Sequence, residues 1–156
     1  MVERQRSSGR SKVEAALGCS TAHIYNERMK LRIHGNSIRL RVNQSEVATL
    51  AAGGKLESWV QFVPSAADRL GYAIEISAQC SEVCASCSNG VLLVTLPESL
   101  AQTWASTNQV GIEYDQPTTD GSFLRIGVEK DFRCRHFRPG EDESDNFPNP
   151  SGGVQS

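Results

Sequence analysis

The chain has 156 residues, 38% of them hydrophobic and 22% charged, which suits one domain with a core built from aliphatic side chains, because only 6% are aromatic. A net charge of -2 argues against a dedicated binder of nucleic acid or anionic membrane, and no run approaches the roughly 18 apolar residues of a membrane span. The basic N-terminus lacks the apolar stretch of a secretory signal, so the expected location is cytoplasmic, where five cysteines favour reduced thiols or a metal site over a disulfide frame.

Residues 1–28 mix Arg4, Arg6, Arg10, Lys12 and Arg28 with Glu3, Glu14 and Glu27, and show neither strand alternation nor a helical period. They read as a disordered leader or, the preferred reading, as an extension upstream of a true start at Met29. From Met29 the pattern sharpens. Leu31 and Ile33 alternate with Lys30, Arg32 and His34, Gly35-Asn36 signals a turn, and Ile38, Leu40 and Val42 alternate with Ser37, Arg39 and Arg41. The expected product is a hairpin with one core face and one solvated basic face.

Asn43 and Glu46 have capping-box spacing, Val47, Leu50 and Ala51 share a helical face, and Gly53-Gly54 ends that helix. A strand is expected over Lys55 to Val63 and another at Tyr72, Ile74 and Ile76. Ser77 to Asn89 reads as a polar loop carrying three cysteines, closed by Asn89-Gly90. Val91 to Val94 is a buried strand. Thr95 and Glu98 repeat the capping-box spacing before a second short helix bearing Leu100 and Trp104. Strands at Val110–Tyr114 and Leu124–Val128 complete the body, with Phe123 on the opposite face of the last one.

Ile38, Leu40, Val47 and Ala51 map onto Val91, Leu93, Leu100 and Trp104 at an offset of 53. The expected fold is a single compact α+β domain of about seven strands and two short helices, with duplicated β-α-β-β units forming a mixed sheet or small barrel; a β-β-α-β phasing of the same elements is the alternative, held by analogy with cradle-loop barrels. The organisation expected is a leader over 1–28, the α+β domain over 29–131, an ordered C-terminal segment over 132–150 and a disordered tail over 151–156.

Met29-Lys30-Leu31-Arg32-Ile33-His34-Gly35-Asn36-Ser37-Ile38-Arg39-Leu40-Arg41, continuing to Gln44-Ser45-Glu46-Val47, resembles the opening of a family of small bacterial proteins of unknown function. The likeness extends to Glu129-Lys130-Asp131-Phe132, Cys134, Arg138, Glu141-Asp142, Asp145 and Phe147-Pro148-Asn149-Pro150. It spans roughly Met29 to Pro150. The resemblance supports Met29 as a start but implies no activity, and the cysteines of the internal loop are not part of its pattern.

Two chemistries can be drawn from these residues. Lys130, Arg133, Cys134, His136, Arg138, Glu141, Asp142 and Asp145 crowd one segment after the last strand, where arginines suit bidentate anion recognition and loop residues carry function. The same charges also suit mutual pairing, and a Cys134–His136 nucleophile and base would lack an orienting partner and an oxyanion site. Cys80, Cys84 and Cys87, with Cys134 or His136 as a fourth ligand, have metal-like spacing that suits zinc or an iron–sulfur cluster. The expected function is therefore a non-enzymatic binding or interaction protein without a cofactor, taking a protein or a small anionic ligand at its Arg/Cys/carboxylate surface. A metal-binding or thiol redox protein is the alternative.

Overall fold

The computed structural model describes residues 29–62, 68–134 and 139–150. The expected leader over 1–28, the tail over 151–156, and His136 and Arg138 lie outside them. The elements are β1 (Lys30–His34), β2 (Ser37–Val42), α1 (Gln44–Ala51), β3 (Leu56–Gln61), β4 (Arg69–Ser77), β5 (Cys84–Ser88), β6 (Val91–Pro97), α2 (Glu98–Ser106), β7 (Gly111–Pro117) and β8 (Phe123–Lys130).

The strands form two mixed four-stranded sheets, β1-β2-β8-β7 (sheet A) and β3-β4-β6-β5 (sheet B). The order β1-β2-α1-β3-β4 recurs as β5-β6-α2-β7-β8, so each half opens with a hairpin and the β-β-α-β phasing applies. Each sheet joins the first hairpin of one half to the second hairpin of the other. The joints are parallel, β2 with β8 and β6 with β4. Each helix carries the chain from one sheet to the other, and one apolar cluster collects Leu40, Ile74, Val94, Leu96, Ile126 and Val128 from both sheets with Leu50 and Trp104 from the helices.

Equivalent places in the two halves are 54 positions apart rather than 53. Leu40 and Val42 answer Val94 and Leu96, and Val47 and Leu50 answer Ala101 and Trp104; all eight are buried. The smaller offset matched residues by type, but a slip of one residue exchanges the two faces of a strand. Leu93, matched to Leu40 in that way, is only half-buried.

Local chemistry explains most boundaries. Asn43 caps α1 by accepting from the Glu46 amide, while the Glu46 carboxylate accepts from Asn43 N at 3.0 Å and from Met29 N at 2.6 Å, tying the start of β1 to the helix. Burial of that carboxylate raises its pKa, opposed by these two backbone donors. The second capping box does not form. Thr95 lies within β6, paired with Glu75 of β4, and Pro97 takes the cap position with no side-chain bond, because the parallel β4–β6 ladder runs on to Ser77 and Pro97.

The eighth strand, β5, occupies part of the expected cysteine loop. Asn89 and Gly90 have φ of 50° and 73°, the left-handed pair that a two-residue hairpin turn requires, and they join β5 to β6. Ile33 departs from its expected place in the core. It is 60% exposed, at the far end of β1, an edge strand with a neighbour on one side only.

Candidate functional site

The end of β8 sets the site. Its inward-facing residues run Leu124, Ile126, Val128 and then Lys130, which the strand period carries into the interior; only 6% of Lys130 is exposed. Lys130 pairs with Val42 of β2, and the Asp131 amide donates to Val42 O at 2.7 Å. The chain then leaves the sheet and returns. Phe147 N donates to Asp131 O at 2.8 Å and Arg133 N to Phe147 O at 2.9 Å, so Phe132 and Phe147 form a parallel bridge with ring centroids 5.9 Å apart.

The returning strand closes on the N-terminus of α1. Gln44 N donates to Asp145 O at 3.0 Å, Ser45 N to an Asp145 carboxylate oxygen at 3.3 Å, and the Gln44 side-chain amide to Asn146 O at 2.9 Å. The first amides of a helix have no intrahelical acceptor, and a carboxylate there also meets the positive end of the helix dipole. Asp145 thus completes a helix terminus.

The other charged residues of this segment are held in the same way. Lys30 reaches Asp131 at 3.0 Å and Glu141 at 3.7 Å. Arg133 donates to Ser144 O at 2.9 Å, Cys134 N to Glu143 at 3.0 Å, and Ser144 N to Asp142 at 2.9 Å, which lowers the pKa of Asp142. Of the basic run, Lys130 and Arg133 are the cations within the described residues. Among the described residues Lys130 has no carboxylate partner, and Arg133 is bound to a backbone carbonyl. Exposed pairs of this kind are worth about 0–1 kcal/mol each. Phe132 is half-buried beside Phe147.

Lys130 is the unusual group. Its ammonium donates to the carbonyl of Thr107, the residue that ends α2, and lies 5.4 Å from the Phe147 ring centroid and 5.9 Å from that of Trp104. A cation at a helix C-terminus and over aromatic faces is favoured. Desolvation nonetheless pulls its pKa below the ordinary lysine value. Beside it opens a pocket of about 620 Å³, walled by Val110, Phe132, Phe147 and Pro148 and edged by Asn108 and Asn149. This is a concavity with an apolar wall, a polar edge and one desolvated cation, a combination that suits an anion with an apolar body.

The cysteines do not gather. Cys80 and Cys84 lie with their sulfurs 4.0 Å apart, the Cys80 thiol donating to Glu82 O. Cys87 is three residues from Cys84 along β5, hence on its opposite face. Burial and the neighbouring Cys80 push the Cys84 thiol pKa up. Among the described residues, no three His, Cys, Asp or Glu side chains converge as a metal-binding group.

Comparison with known families matches residues 29–151 to a model described as a family of unknown function, DUF7009. The chain belongs to that family. The match takes in both sheets and the segment that returns along β8, so the Lys130 pocket lies wholly within the family's span. A search of curated proteins finds no match to the chain. Among the described residues no helix is long and apolar enough to cross a membrane.

In the sequence, Lys130 stands among the charges expected at the surface. The signal that separates it was present: Lys130 continues the alternation of Leu124, Ile126 and Val128. Thr107 and Val110, which complete the pocket, carried no motif.

Proposed function

We propose that this DUF7009 protein is a non-enzymatic binding protein that takes a small anionic ligand between the end of α2 and the C-terminal segment, with Lys130 as its charged anchor. The observation that carries this reading is a buried ammonium, with no carboxylate partner among the described residues, beside a large pocket of mixed polar and apolar lining. A buried charge is costly unless compensated, and one carbonyl and two ring faces leave donor capacity for a ligand anion. Phe147 and Pro148 give the apolar part of such a ligand a rigid wall.

The test uses 8-anilinonaphthalene-1-sulfonate, an anion with an aromatic body, titrated at fixed salt and followed by fluorescence. Wild type binds it saturably, and Lys130→Met, which keeps the side chain's length and apolar stem, weakens binding at least tenfold with little change in Tm. Equal affinity in the two proteins refutes the assignment.

A further inference from the structure

The outer face of sheet A carries a second arrangement, independent of the Lys130 pocket. Strand pairing sets its side chains in rows. Arg32 of β1, Arg39 of β2, Gly127 of β8 and Glu113 of β7 form one row, and His34, Ser37, Arg125 and Asp115 the next. Gly127 has no side chain in the middle of this face, and the gap is a hollow of about 210 Å³ bordered by Arg32, His34, Arg39, Arg125, Ser37 and Glu113.

Two of the cations around it are paired and one is left over. Arg39 is held by Glu129 at 3.0 Å and Glu113 at 3.9 Å, and Arg125 by Asp115 at 2.9 Å. These contacts fix two guanidinium groups beside the hollow. Arg32 and His34, on the edge strand, have no ion pair among the described residues. Glu113 lines the hollow with them, and Glu129 and Asp115 engage Arg39 and Arg125, so the unengaged guanidinium beside the hollow is that of Arg32. A solvated basic face needs no hollow. Here the cations surround one, floored by the one glycine of the row.

We infer that this hollow is a binding site for an oxyanion group, with Arg32 as its unpaired ligand and Arg39 and Arg125 preset by their carboxylates. Guanidinium groups present paired donors that match the oxygens of phosphate or carboxylate. Both groups share the required chemistry, and phosphate offers more acceptor oxygens to the donors that line the hollow. A Cβ at Gly127 would sit in ordinary contact with the Arg39 side chain, at 3.5 Å and beyond, so a larger side chain is needed there to fill the hollow.

Isothermal titration of the full chain with inorganic phosphate, and separately with acetate, at constant ionic strength tests this. Phosphate is expected to bind saturably with one site, at least tenfold tighter than acetate. Arg32→Ala, on an exposed edge strand, is expected to weaken it at least tenfold with unchanged Tm, and Gly127→Leu to abolish it by filling the hollow. Lys130→Met is expected to leave phosphate binding intact, which separates this site from the pocket proposed above. Tighter binding of acetate that still depends on Arg32 supports the site and assigns a carboxylate. No saturable binding of either anion, or equal affinity in wild type and Arg32→Ala, overturns it.

Discussion

Phe147→Ala tests whether the returning C-terminal strand is part of the fold. Phe147 is half-buried, and its ring lies against Phe132 and the Lys130 ammonium. Complete burial makes Phe→Ala cost about 3–5 kcal/mol, so a half-buried ring at this site is worth about 2 kcal/mol. In a domain of this size 1 kcal/mol moves Tm by about 4 °C, which gives an expected drop of about 8 °C. Phe123 is the control, because it is 58% exposed on the outer side of β8, and Phe123→Ala is expected to cost no more than about 0.5 kcal/mol. Differential scanning calorimetry at pH 7 reads both variants, and Phe132→Ala with the double variant isolates the ring pair, expected to add about 0.5–1.5 kcal/mol of coupling. Equal Tm shifts for Phe147→Ala and Phe123→Ala would refute the packing argument.

Two further outcomes follow from particular contacts. A Cβ at Gly71 would fall 2.4 Å from the ring of its cross-strand partner Trp59, which also carries Arg69 over its face at 3.6 Å. Gly71→Ala is therefore expected to displace that ring, destabilise by about 1–3 kcal/mol and red-shift the tryptophan emission, since the other tryptophan, Trp104, is buried; an unchanged spectrum counts against it. Desolvation lowers the Lys130 pKa, so above that value the folded chain holds fewer protons there than the unfolded chain. Stability contributed by this group then rises with pH until the unfolded lysine also titrates, near about 10.4. The difference in urea-unfolding free energy between wild type and Lys130→Met should shift in wild type's favour from pH 8 toward pH 10, and a flat difference would contradict the burial argument.

Much of the body was legible because its signals are local. The Asn43–Glu46 capping box, the Gly35-Asn36 turn and the alternation of β2 and β8 each act within a few residues. β5 escaped because Cys84-Ala85-Ser86-Cys87-Ser88 has no β-branched or aromatic residue, and Asn89-Gly90 was the one sign of a hairpin. Thr95 misled for a different reason: the spacing of a capping box was present, but a seven-residue ladder with β4 claimed the backbone first. The candidate sites were the least legible. Arg32 meets Arg125, and Lys130 meets Thr107, only through pairings between strands and helices distant in sequence.

Both proposed sites lie on β8 and on opposite faces of it, and this makes them hostages to one register. Lys130 and Val128 point inward while Gly127 and Arg125 point outward, as fixed by the parallel pairing of Leu40 with Val128 and Val42 with Lys130. A one-residue slip of β8 would bring Gly127 and Glu129 to the core and turn Val128 and Lys130 to solvent, emptying the pocket and filling the hollow together. What prevents the slip is burial of Ile126 and Val128 and the anchoring of Asp131 to Val42 and Phe147 immediately beyond the strand. Because β2 and β8 come from opposite ends of the described chain, their pairing closes a loop of nearly the whole domain, the kind of contact that costs most entropy and forms slowly. The returning segment, bound both to β8 and to the start of α1, therefore acts on the contact that creates both sites, and loosening it should weaken the two anion affinities in parallel.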